Sequence, residues 1–250
     1  MSKTAKLEVP SAGGRPESEL RLAPLGMPDI GAIHSLYQAV HDVTPHGHLA
    51  DRAVAEFQNI LSRKEELASV GAWQGDTLVG YTLCSIHRGE PVFKDSPLIG
   101  LLQARSGELW TGKGTVIDPR FEGRMLMSRL LRMRGELIAK RGAVHTAGLV
   151  ATTNLASLAS SLRAGGWIVG MERDEYCDNF VCYSGALQVE FKPLETMTIP
   201  IHDLPEVSQK LAQGWVGDRM EKGQDGKPRQ LLMFRHEFEW FAGSGDDSSA

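Results

Sequence analysis

Cysteine is scarce in this 250-residue chain: Cys84, Cys177 and Cys182 are the only three, and none forms a C-x-x-C pair. That argues against a cysteine zinc site and fits a reducing compartment. Long apolar runs are also missing. No stretch approaches the ~20 apolar residues needed to cross a bilayer. Met1 to Glu19 lacks the apolar centre of a signal peptide. The expectation is a cytoplasmic chain without a membrane partner. Positive charge is not in excess either. Lys+Arg 27 against Asp+Glu 31 gives a net charge of -4. That argues against a dedicated nucleic-acid binder, which is usually basic. No repeat of solenoid length occurs. What is present is ordinary: 42% hydrophobic and 23% charged residues, enough for a real core.

The chain divides by composition. Residues 1–19 and 243–250 are polar and read as a flexible lead-in and tail. Residues 20–190 form the main body, and residues 191–242 form a C-terminal extension. A strand is expected over Leu20 to Pro24. A helix from Asp29 follows, with Ile30, Ile33, Leu36, Tyr37 and Val40 on one face. The polar loop His41 to Asp51 leads to a second helix over Arg52 to Arg63. Leu67 to Trp73 and Thr77 to Ile86 read as a hairpin around Gln74-Gly75-Asp76. Residues 88–107 break the pattern and are expected to be an insertion loop. Glu108 to Asp118, Gly123 to Arg141 and Ala143 to Val150 make a strand–helix–strand unit with parallel strands. A short helix over Asn154 to Ala164 precedes strands at Trp167 to Met171 and Phe180 to Tyr183. In the extension, Asp203 caps a helix to Gln213. Trp215 to Met220 and Gln230 to Phe238 form a hairpin around Lys222 to Pro228.

The informative stretch is GTVIDPRFEGRMLMSRLL, starting at Gly114. A strand runs into Pro119, which cannot donate to a ladder. A short turn reaches Gly123, where a long helix opens. Free N–H groups and the dipole at such a start form an anion site. Arg124 in the first turn fits a bound anion, and it equally fits a side chain reaching solvent.

This stretch resembles the main motif of the GCN5-related N-acetyltransferases, a strand ending V-x-P followed by a glycine-rich turn into a long helix. Ile117, Pro119, Gly123, Arg124 and Leu126 match. A second motif, an Asn, a small residue three later and a helix ending in Gly-aromatic, is matched by Asn154, Ser157 and Gly166-Trp167. The resemblance covers about Leu20 to Tyr183. It implies an α/β (α+β) fold with a mixed, mostly antiparallel sheet flanked by helices. It also implies acetyl-CoA as co-substrate. Val116, Ile117 and Asp118 would meet its acyl and pantetheine end. Gly123, Arg124, Met125, Leu126, Met127 and Ser128 would meet its pyrophosphate, with Asn154 and Ser157 nearby. The family's proton-donating tyrosine falls at Ser161, counted from Asn154, or at Leu162, counted back from Trp167. Glu122 stands where Gln or Arg is usual. Met125 and Met127 stand where small residues are usual. A methionine offers its amide N–H, but its Cβ disfavours positive φ and its side chain can crowd the phosphates.

Other residues carry two readings each. Glu108 is a general base facing the cleft, or a solvated carboxylate at a strand start. His41, His46 and His48, with Asp42, sit in an open loop that contacts substrate, or ligates a metal; no metal site is expected. Met125, Met127 and Met133 line an acyl channel or belong to the core. Arg124, Arg129, Arg132, Arg134 and Arg141 form a solvated helix face, with one of them available to CoA. Cys84 reads as core. Trp215, Phe234, Phe238 and Trp240 pack the extension onto the body. The expected function is acetyl transfer from acetyl-CoA to a primary amine on a small molecule or peptide, and the resemblance admits a homodimer. A silent binding module and a transferase of longer acyl chains are the alternatives.

Overall fold

The computed structural model describes residues 20–63, 68–89, 91–93, 95–143, 145–185, 192–222 and 228–237. The elements run β1 (Leu20–Pro24), α1 (Ile30–His41), α2 (Val54–Ser62), β2 (Val70–Gln74) and β3 (Thr77–Arg88). Then come α3 (Pro97–Ser106), β4 (Glu108–Ile117), α4 (Leu126–Ala139), β5 (His145–Ala151) and α5 (Leu155–Arg163). β6 (Trp167–Arg173), β7 (Asp178–Gly185), β8 (Lys192–Pro200), α6 (Leu204–Ala212), β9 (Trp215–Lys222) and β10 (Pro228–Glu237) complete the chain. The strands form one sheet in the order β1-β2-β3-β4-β5-β7-β6-β9-β10-β8. Among the described residues only β4 and β5 pair in parallel. The mixed, mostly antiparallel sheet flanked by helices is therefore as the resemblance implied.

Side-chain spacing explains the helices. α1 buries Ile33, Leu36 and Tyr37 beside Phe57 and Leu61 of α2, over Tyr81 and Leu83 of β3. α4 buries Leu126, Leu130, Arg134 and Ile138, four residues apart, against the sheet's other face. α6 is capped by Asp203, whose carboxylate accepts the Glu206 N–H at 3.2 Å.

Three expectations need correction. Residues 88–107 are not all loop: Ile99 and Leu102 of α3 are buried with Leu109, Ala147 and Val169. Gly100 at the centre of this helix and its weak periodicity concealed it. α4 starts at Leu126, three residues later than expected, because Gly123 and Met125 take φ of 73° and 54°. β8 was not foreseen; it pairs with β10 at the sheet edge.

The extension continues the sheet, β9 meeting β6 where Ile168 faces Gly217. One apolar cluster joins Leu158, Leu162 and Ile168 to Val207, Trp215 and Leu231 across that seam. Residues 1–19 and 243–250, Leu67, Phe238, Trp240 and the turn at 223–227 lie outside the described residues.

Candidate functional site

β4 and β5 share two rungs, Trp110 with Thr146 and Thr111 with Ala147. Both strands then continue, to Ile117 and Ala151, without further pairing. The parallel pair thus opens into a V. At its apex the two backbones lie side by side: a Cβ on Gly148 would stand in van der Waals contact, 3.7 Å from the Gly112 Cα. A bulge begins there. Cys84 faces Gly112 and Thr82 faces Thr115, so Lys113 and Gly114 together oppose Leu83. Gly114 takes φ of 101°, a conformation that suits glycine. A cavity of about 1270 Å³ runs through the V.

The backbone of β4 is divided between its neighbour and the cavity. The Asp118 N–H donates to the Val79 carbonyl at 2.9 Å. Alternation in an antiparallel ladder then assigns Val116 to Tyr81 and turns the polar backbone of Thr115 and Ile117 toward the gap. Of the expected donors Val116, Ile117 and Asp118, only Ile117 thus offers a free amide; Thr115 was not foreseen. The Asp118 carboxylate instead caps the turn at Pro119–Phe121 and binds Arg120 Nε at 3.0 Å. That hydrogen bond holds it below the usual carboxylate range.

At the wider end, α4 begins without a side-chain cap. Its first backbone bond runs from Arg129 N–H to the Met125 carbonyl at 3.1 Å. The amides of Leu126, Met127 and Ser128 therefore have no intrahelical acceptor. Met125 takes the left-handed conformation that its Cβ was expected to forbid, and it is the only non-glycine to do so among the described residues. Met125 is 59% exposed, so it borders the cavity without plugging it. Met127 lies inward, where its Sδ accepts from Ser157 Oγ at 3.8 Å. Asn154 Oδ1 accepts the Ser157 N–H at 3.0 Å, and Ser128 Oγ donates to the Ser160 carbonyl at 3.0 Å. The first of these caps α5, and the Ser128–Ser160 and Ser157–Met127 bonds fix α5 against α4. The Arg124 guanidinium lies 5.3 Å over the Phe121 ring.

Ser161 is buried and lines the cavity, whereas Leu162 packs into the core. Glu108 does not reach the cleft. It sits at the opposite end of β4, where it accepts from Trp110 Nε1 at 3.2 Å and pairs with Arg88 at 3.4 Å. Arg134 leaves the expected solvated face. It fills a position in the apolar stripe of α4, and its Nη1 donates to Thr82 Oγ1 at 2.9 Å beneath Gly112. Burial pulls its pKa down. Its place four residues after Leu130 and four before Ile138 was the available signal. Tyr183 was missed as a site residue because it lies on a distant strand. It lines the cavity and meets His145 Nδ1 at 2.8 Å, and burial pushes its phenol up to about 12.

The histidine loop closes the other side of the cleft. His48 lines the cavity and its Nε2 meets Thr153 Oγ1 at 2.8 Å. His46 packs edge-on to Tyr176, and His41 pairs with Asp51 at 2.7 Å. The three imidazoles thus serve different partners. No group that could hold a metal ion occurs among the described residues.

No protein-family model and no curated protein matches this sequence. Solved structures do. Arabidopsis thaliana NAA60 in complex with acetyl-CoA aligns over 67% of this chain and 99% of its own, with TM-score 0.53 and 11% identity. A polyamine N-acetyltransferase of Drosophila melanogaster gives 67% and 100%, TM-score 0.52 and 12% identity. YncA of Salmonella typhimurium, a putative acetyltransferase with acetyl-CoA, gives 68% and 95%, TM-score 0.51 and 12% identity. The chain therefore has the fold of N-acetyltransferases.

Proposed function

We propose that this protein transfers an acetyl group from acetyl-CoA to a primary amine. One observation carries the reading: the V between β4 and β5 and the uncapped start of α4 open into one cavity. The donor set fits the co-substrate. The amides of Leu126, Met127 and Ser128, with the dipole of a 14-residue helix, suit a pyrophosphate. The outward backbone of Thr115 and Ile117 suits an amide-bearing arm lying along a strand. Bound acetyl-CoA supplies an activated acyl group; an acceptor ammonium becomes an amide, with a free thiol and one proton released.

The chain's own part is positioning and polarisation. The V excludes water from around the acyl group. The Ile117 amide is the β4 donor for its carbonyl oxygen. His48, the one imidazole among the lining residues, takes the acceptor's proton directly or through water. No carboxylate of β4 does so, since Glu108 is engaged elsewhere.

Thermal unfolding with saturating acetyl-CoA tests the reading. At about 100 times its dissociation constant the ligand adds about 2.7 kcal/mol of stability. Gly123→Val, strained at φ 73°, abolishes that gain, and His48→Gln lowers kcat without changing it. No stabilisation of the wild type overturns the reading.

A further inference from the structure

We infer that the amine acceptor carries a carboxylate close to its reacting nitrogen, and that Lys113 and Arg52 hold it. The inference rests on the transferase reading and names its acceptor class.

Position comes first. Lys113 is a bulge residue of β4, just past the last rung shared with β5. A group held by its ammonium therefore lies beside the apex where an inserted acyl group is attacked. Lys113 lines the cavity, and its charge lies within electrostatic reach of Arg52, Cys84 and Glu56. Arg52 lines the same cavity, and its side chain is 16% exposed. Both cations thus line the cavity shared with Val40 of α1 and with His48 and Leu49 of the histidine loop.

The cavity lining holds no counter-ion for Lys113: among the described residues no carboxylate stands within ion-pair distance of it. Arg52 gives Nη1 to Glu56 Oε2 at 3.2 Å, and the rest of its five-donor fork remains. Three other acids around the cleft are engaged. Asp51 pairs with His41 at 2.7 Å. Glu172 accepts the Asp95 N–H at 2.8 Å. Asp174 accepts the N–H groups of Tyr176 and Cys177 at 2.8 and 2.9 Å. Burial, and then the charge on Arg52, lower the Lys113 pKa, as expected for a cation without a partner. A ligand carboxylate supplies the missing charge through charge-assisted hydrogen bonds, and Arg52 adds planar recognition. A polyamine would instead bring a second cation against two others. The apolar wall beside them, with Val40, Leu49 and Phe93, suits the carbon skeleton of an amino acid.

The test compares acetylation of leucine and phenylalanine with that of their amides, isoamylamine, phenethylamine and spermidine. A peptide with aspartate at its N-terminus and an alanine counterpart separate a free amino acid from an acidic peptide end. Acetyl-CoA binding is measured alongside by calorimetry. The expected result is a kcat/KM at least tenfold higher for the carboxylated member of each pair. Lys113→Met and Arg52→Gln each raise KM for that member tenfold or more and erase the preference, while acetyl-CoA affinity stays within twofold. Lys113→Arg restores part of the preference. Equal rates for carboxylated and uncarboxylated amines overturn the inference and leave the transferase reading intact. So does a preference that survives both variants, or acetyl-CoA binding without turnover of any of these amines. Absent acetyl-CoA binding overturns both.

Discussion

Met125 shows how one residue can follow its surroundings against its own preference. A left-handed conformation costs an L-residue about 1–2 kcal/mol. Here it ends the turn after Gly123 and opens α4 with three amides that have no intrahelical acceptor. Met125→Gly is expected to stabilise the protein by up to about 1 kcal/mol, and Met125→Val to destabilise it by at least as much. Urea unfolding distinguishes them; equal stability of the two variants would refute the strain. His145 carries a second residue-scale effect. Burial lowers its pKa from an unfolded value near 6.5. Between the two values the unfolded chain binds more protons, so stability falls as pH drops below about 6.5 and levels off below the folded pKa. His145→Phe is expected to flatten that part of the stability–pH curve. An unchanged slope would remove His145 as the cause.

Among the elements, α5 shows how closely the cleft wall is packed. Its last turn returns to the sheet through Gly166, whose N–H donates to the Ser161 carbonyl at 3.0 Å. A Cβ on Gly166 would stand 2.8 Å from that carbonyl oxygen. The obstacle is backbone and cannot rotate aside. Gly166→Ala is therefore expected to cost about 1–3 kcal/mol and to weaken acetyl-CoA binding by displacing Ser161 and Ser157. Chemical denaturation and calorimetry measure the two effects; wild-type values for both would mean that α5 moves freely. α3 teaches the converse about reading elements from sequence. Its buried face includes polar Gln103 beside Ile99 and Leu102, while Leu98 is only partly buried, so the apolar periodicity is weak.

For the whole molecule, the extension and the body share one sheet and one apolar cluster. Val207, Trp215 and Leu231 cover Leu158 and Ile168, which a shorter chain would expose. Fluorescence and far-UV circular dichroism are expected to give one coincident unfolding transition. A chain ending after residue 190 is expected to aggregate or lose fixed tertiary packing. Two separate transitions, or a well-folded short chain, would show that the body stands alone.

Apart from α3 and β8, the order of elements, the strand–helix–strand unit and the turn at Gly123 were legible because each is a local pattern of spacing, breakers and caps. Asn154 and Asp203 announced their helices in the same way. The cavity lining shared by Lys113 and Arg52, the burial of Arg134 and the removal of Glu108 from the cleft were not legible. They depend on where two strands part, on a bulge one residue long, and on which face of the sheet each side chain meets. Sequence separation hides such contacts: Arg134 meets Thr82 across 52 residues, and His48 meets Thr153 across 105. Local chemistry thus determined the kind of site this chain builds. Only the pairing and parting of the strands decided which charges face into it, because a side chain's partner is set by distance in space and not along the chain.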